Sequence, residues 1–183
     1  KSGFKFIRIG VESGSERVRR SILRRDYSNE DIINTVKLAK THGLAIDFYN
    51  LIGVPGESFE DFKETIEINR KCQPDRTFAH IFYPYPGTEL YSVCMRQGLL
   101  KGALDGRLER CKASLDLPEF SKWRIQAGFI LFDYNVYRGF RPFGQILLKT
   151  FISAFRSNVF LHALYRRFMW SALLRRVKDL SRQ

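Results

Sequence analysis

Leu51-Ile52-Gly53-Val54-Pro55-Gly56-Glu57-Ser58-Phe59-Glu60-Asp61-Phe62 changes, within one short stretch, from strand composition through a Gly/Pro turn into an acidic helix start. Upstream, Leu44 to Ile52 is apolar and aromatic apart from Asp47 and Asn50, as expected of a strand covered on most of its faces. Pro55 and Gly56 break it. Ser58 suits an N-cap, with Glu60 and Asp61 in the first turn, where negative charge is favoured by the exposed N–H groups of the helix end. Phe59, Phe62, Ile66 and Ile68 then recur at roughly helical spacing up to Lys71. Together these features read as one strand–turn–helix unit of a parallel α/β protein, whose ligand sites lie at the carboxyl ends of strands.

The same punctuation recurs on either side. Phe4 to Glu12 reads as a strand that ends on a carboxylate, followed by Ser13-Gly14-Ser15 and a helix from Glu16 containing Val18, Ile22 and Leu23. After the charged joint Arg24-Arg25-Asp26-Tyr27, Ser28 caps a helix with Ile32, Ile33, Val36 and Leu38 on its buried stripe, and His42-Gly43 ends it. Thr77 to Tyr83 is the third apolar run, closed by Pro84-Tyr85-Pro86-Gly87, with Thr88 capping a short helix through Met95. Strands joined by helical crossovers imply a parallel sheet or barrel segment.

Residues 101–120 are a connector interrupted by Gly102, Gly106 and Pro118. From Ser121 the pattern is helical, with a break at Phe140-Arg141-Pro142 and a second segment from Phe143 to about Leu180. Lys149, Arg156, Arg166 and Arg167 keep every apolar run there below the roughly 18 residues of a spanning helix. The 183 residues carry a net charge of +12, of which an excess of eight lies in residues 131–183. The basic character thus belongs to the tail and says little about the core's ligand. The chain opens at Lys1 in what reads as the middle of a repeating pattern, so a piece of a longer protein is expected. Cys72, Cys94 and Cys111 match no compact metal or redox spacing.

Several residues stand where chemistry would sit, each with an ordinary structural reading beside it. Glu12 at a strand end can accept hydrogen bonds from ribose hydroxyls or an amine, or can cap the next helix, and Gly14 would let a ligand approach the backbone. Arg24 closes a helix and reads as surface. Gly53 to Glu57 either cradles a ligand or turns the chain. Tyr83 and Tyr85 can stack on a purine or pack in the core. His42, His80 and His162 share no ligand spacing and read as structural. Asp47 and Asn50 either line a barrel interior or pair locally.

Three ordered stretches resemble the second half of a radical S-adenosylmethionine (radical SAM) enzyme: Ile9 to Val18 continuing through Arg24 and Arg25, Ile52 to Phe62, and Phe82-Tyr83-Pro84-Tyr85-Pro86-Gly87-Thr88-Glu89-Leu90-Tyr91. The resemblance covers residues 4–100. It implies the C-terminal half of a partial (β/α)6 barrel in residues 1–100, followed by a basic, aromatic-rich all-helical extension in 121–183. It also implies a 4Fe–4S cluster that reduces S-adenosylmethionine to a 5′-deoxyadenosyl radical, the chemistry being the cofactor's. By position, the resemblance assigns Glu12 and Ser13 to the ribose and methionine portion, Arg24 to the carboxylate, Ile52 and Val54 to the wall beside the adenine, and Tyr83 to the same base. The chain has no CxxxCxxC loop, so the cluster ligands are expected outside it and the chain alone is expected to be inactive.

The Phe-Tyr-Pro-Tyr-Pro-Gly-Thr form and the Arg- and aromatic-rich tail are most similar to the subgroup with a cobalamin-binding domain, which would lie upstream. A tRNA methylthiotransferase is the enzymatic alternative, disfavoured by the helical ending. The expected partners are a small-molecule substrate and the missing N-terminal half, with nucleic acid not favoured. A non-catalytic role, in which the tail docks on anionic membrane or nucleic acid, competes with simple packing of the tail on the barrel. The expected location is cytoplasmic, with a membrane-peripheral variant if the tail binds lipid.

Overall fold

The computed structural model describes residues 3–100, 104, 106–158, 161 and 163. His162 and most of the expected second tail segment lie outside the described residues. Three parallel strands, β1 (Phe6–Glu12), β2 (Ala45–Ile52) and β3 (Arg76–Ile81), form one sheet in the order β1-β2-β3. The crossovers are α1 (Asn29–Thr41) and α2 (Phe59–Cys72). Both helices begin with a capping box: Ser28 and Ser58 accept from the N–H groups of Asp31 and Asp61, whose carboxylates return the bond to the cap. The expected helix after Glu16 is closed by a single π-type turn, Val18–Ile22.

Alternation along β2 sorts the two faces of the sheet. Ile46 and Phe48 meet Ile32, Val36 and Ala39 of α1 and Ile68 and Cys72 of α2 in one core cluster. Asn50 points the same way and exchanges amide hydrogen bonds with Asn69 of α2 at 2.7 and 3.3 Å, so it pairs locally. Asp47, Tyr49 and Leu51 belong to the opposite face, in register with Arg8 and Gly10 of β1 and with Arg76, Phe78 and His80 of β3. Asp47 is fully buried there beneath a two-pronged pair with Arg76 at 2.7 and 2.8 Å, and Arg8 approaches it at 3.8 Å. Phe6, Arg8 and Arg76 are exposed on this face.

After α3 (Glu89–Arg96), the connector is pinned to the sheet edge where the Ile81 N–H donates to the Arg110 carbonyl at 2.8 Å. Helices α4 (Lys122–Ile130) and α5 (Phe132–Tyr137) share a core with the sheet: Phe120, Ile125, Phe129 and Phe132 pack with Ile52, Phe62 and Ile81. Packing is therefore continuous from the strands into the helices after residue 121. Helix α6 (Phe143–Arg156) follows the break at Arg141-Pro142. Among the described residues, no helix is long and apolar enough to cross a membrane.

Candidate ligand cleft at the strand ends

A cleft of about 450 Å³ opens at the carboxyl ends of the three strands, on the face opposite α1 and α2. Its lining includes Gly10 and Glu12 after β1, Tyr49 and Leu51 from β2, and His80, Tyr83 and Tyr85 from β3 and its loop. Arg110 enters from the connector.

Glu12 reaches the cleft through a local distortion. The β1–β2 register slips between Gly10 and Glu12, the Ser13 N–H turns back to the Val11 carbonyl at 2.7 Å, and Glu12 adopts a left-handed φ of 60°. A non-glycine residue there is strained, which marks the position as built for something other than the ladder. Burial raises the carboxyl's pKa, against the opposing pull of Arg25.

Tyr83 and Tyr85 meet with ring centroids 4.9 Å apart, and Tyr49 stacks on Phe78 at 4.9 Å and on His80 at 6.3 Å. Arg110 also has positive φ, 65°, and its guanidinium donates to the Tyr85 hydroxyl at 3.1 Å. The cleft thus offers flat aromatic surface, a carboxylate and a guanidinium, the complement of a planar base carrying hydroxyl and anionic groups. His80 lines it with a buried Nδ1 that has no hydrogen-bond partner among the described residues. Burial, with Arg156 and Arg110 nearby, lowers its pKa and favours the neutral ring.

The other residues assigned by resemblance lie elsewhere. Ser13 is fully buried, its hydroxyl 3.3 Å from that of Thr65 on α2. Ile52 and Val54 are fully buried in the core among Phe62, Ile81 and Ile125. Arg24 is exposed and pairs with Glu89. Of the six, Glu12 and Tyr83 line the cleft.

The structure decides two loop readings. A Cβ on Gly14 would meet the backbone of Glu64 at 2.2 Å, so this glycine admits helix α2 and not a ligand. In the Gly53–Glu57 turn, the Gly53 and Val54 N–H groups both donate to Glu57 Oε2, at 2.5 and 3.1 Å, and are spent on the turn itself. The Ser13-Gly14-Ser15 loop is held by Arg19, fully buried, whose guanidinium donates to the carbonyls of Ser13 and Tyr27 and to Asn29 Oδ1. Asp61 adds a second clamp by accepting from Ser15, Arg17 and Ser58. Sequence reading missed Arg19, Tyr49 and Arg110: a basic residue in a helical stretch or a connector carries no periodic signal that it turns inward.

The described residues do not fit a metal cluster. Cys72, Cys94 and Cys111 are buried on separate elements, and no group of three His, Cys, Asp or Glu side chains converges.

A parallel β/α sheet with a cleft at the carboxyl ends of its strands defines an α/β architecture of the kind whose ligand sites lie at those ends. Residues 1–68 match the family model described as Radical SAM superfamily, so this segment is similar to that superfamily. Proteins named tRNA-2-methylthio-N(6)-dimethylallyladenosine synthase are similar to part of it. The one from Clostridium tetani is 34% identical over 89 residues, 48% of this chain and 19% of the relative. Those from Sulfurihydrogenibium and Wolinella succinogenes are 27% and 36% identical over 93 and 92 residues, 50% and 48% of this chain, and each match spans 21% of the relative. The chain spans about a fifth of the length of these curated relatives. S-Adenosylmethionine and a 4Fe–4S cluster are the cofactors that likeness to this superfamily implies.

Proposed function

We propose that the cleft is the adenosyl-binding part of a radical SAM active site, and that further strands complete the sheet into a partial (β/α)6 barrel over the face opposite α1 and α2. Parallel sheets are normally covered on both faces, and here Phe6, Arg8 and Arg76 are exposed on the face opposite α1 and α2. When bound, S-adenosylmethionine and the cluster supply the radical chemistry, the cluster being held by residues outside those described. The chain's own part is to bind and orient. Glu12 accepts the ribose hydroxyls, Tyr83 and Tyr85 cover the base, and Arg110 takes an anionic group at the mouth. The observation that carries this reading is the convergence on one cleft of Glu12 and Tyr83, from the ends of β1 and β3, with Arg110 from the connector.

The relatives favour the methylthiotransferase branch over the cobalamin-dependent one, for which the Phe-Tyr-Pro-Tyr-Pro-Gly-Thr form was the lead. The likeness covers about half of this chain, so the nucleic-acid substrate of those relatives is carried over only as a proposal.

The test is S-adenosylmethionine binding by titration calorimetry. Glu12→Ala and Tyr83→Ala are expected to weaken it by about tenfold each, the equivalent of one good polar or stacking contact. Arg24→Ala, outside the cleft, is expected to leave it unchanged. Loss of affinity in Arg24→Ala with none in Glu12→Ala and Tyr83→Ala would overturn the assignment of this cleft.

A further inference from the structure

His80 stands on the cleft side of β3, in register with Leu51 of β2. Tyr49 stacks on its ring, with centroids 6.3 Å apart and planes 24° from parallel. Nδ1 is buried and has no hydrogen-bond partner among the described residues. The residue as a whole is only half-buried, so the ring edge bearing Nε2 is the part left to line the cleft.

The orphaned Nδ1 decides which nitrogen carries the proton. A buried N–H with no acceptor is rarer and costlier than an acceptor with no donor. Nδ1 therefore keeps its lone pair, and the proton sits on Nε2. Burial, with the cationic Arg156 and Arg110 nearby, keeps the ring from taking a second proton. His80 thus presents one uncharged N–H donor to the cleft. An imidazolium there would repel the sulfonium of S-adenosylmethionine, and an uncharged donor does not.

We infer that His80 is a specificity-determining residue of the cleft, its Nε2–H donating to an unprotonated ring nitrogen of the bound adenine. The inference rests on the adenosyl reading of the cleft. In that reading the Tyr83 and Tyr85 rings cover the base, which leaves its edge for the strand floor where His80 lies. That edge carries lone pairs at N1, N3 and N7. Pairing with one of them holds the base in a single orientation, and a base with carbon at that position leaves the N–H unpaired.

Titration calorimetry of the full chain with S-adenosylhomocysteine and its 1-, 3- and 7-deaza analogues tests it. One analogue is expected to bind the native chain about tenfold more weakly than the parent, and His80→Phe is expected to bind the parent and that analogue equally. Nitrogen-15 spectra of the histidine rings supply a second readout, His80→Phe identifying the His80 signals among the three histidines. Nδ1 is expected in the unprotonated range and Nε2 in the protonated range, with the Nε2–H proton moving downfield on ligand binding. A proton found on Nδ1 overturns the inference. So does equal binding of all four ligands by the native chain, a result that needs no variant to fold. Binding that Glu12→Ala weakens and His80→Phe leaves unchanged overturns this inference alone. No binding of S-adenosylmethionine or S-adenosylhomocysteine by the native chain overturns it together with the adenosyl reading.

Discussion

The Glu12 carboxylate folds back over Gly10, so closely that a Cβ on residue 10 would lie 2.9 Å from Glu12 Oε1. Gly10 is therefore the space in which the strained carboxylate sits. Because the obstructed atom is the far end of a side chain, Gly10→Ala can be relieved by moving that end. The expected result is a stability change below about 1 kcal/mol together with roughly tenfold weaker S-adenosylmethionine binding. Urea unfolding and calorimetric titration of the same variant check both halves. Unchanged affinity would mean that the carboxylate's position does not matter to the ligand.

Gly14→Ala reverses this pattern. Here the new methyl group meets the Glu64 carbonyl at 2.2 Å and Thr65 Cα at 2.5 Å, backbone atoms that cannot step aside without displacing α2. A destabilisation of about 3 kcal/mol or more is expected, larger than ordinary overpacking. The urea midpoint should fall well below that of Gly10→Ala.

These two glycines show what was legible in the sequence. The strand–turn–helix periods placed the three strands and two crossovers, because hydrophobic alternation and Ser/Asp caps are local signals. Glu12 and Tyr83 were found because a polar or aromatic residue at a strand end has a defined place. Ile52 ends β2 on the helix side of the pleat, and Ser13 and Val54, just past the ends of β1 and β2, are turned into the interior, so a one-residue difference decides between cleft and core. Gly14 read as ligand access, since a glycine in a turn does not reveal what its missing Cβ makes room for. Arg110 reaches the cleft through a left-handed backbone and a long-range pairing with Ile81, neither of which leaves a mark in the connector's composition.

Arg19 should prove the most costly residue of the first loop. It is fully buried, burial depresses its pKa, and its guanidinium serves three acceptors from Ser13, Tyr27 and Asn29. Arg19→Met leaves those acceptors unsatisfied and is expected to cost about 3–5 kcal/mol. Arg19→Lys should recover little, since one ammonium cannot reproduce the planar fork. Thermal unfolding of both variants decides. Full rescue by lysine would show that charge alone matters at this position.

Glu57 predicts a pH dependence opposite to that of an ordinary paired carboxylate. Burial pushes its pKa from 4.5 to about 8, against the lowering effect of the Gly53 and Val54 hydrogen bonds, and its Oε1 has no partner among the described residues. Below 4.5 both the folded and unfolded chains hold this proton, and the contribution of Glu57 to stability is complete. Between 4.5 and about 8 the unfolded chain releases the proton while the folded chain keeps it. Stability then falls with rising pH by up to ~1.4 kcal/mol per unit, and the contribution is lost once pH passes the folded value. Asp61 acts in a separate window. Burial alone would raise its pKa, but hydrogen bonds from Arg17, Ser15 and Ser58 outweigh this and hold the carboxyl well below the usual range, so its stabilisation is lost only in acid. Glu57→Gln keeps an oxygen for the two N–H groups and cannot ionise. Its urea stability should therefore stay nearly level from pH 4.5 to about 8, where that of the native chain declines, while both share the same acid limb. Parallel curves for the two proteins across that window would show that the buried carboxyl keeps an ordinary pKa.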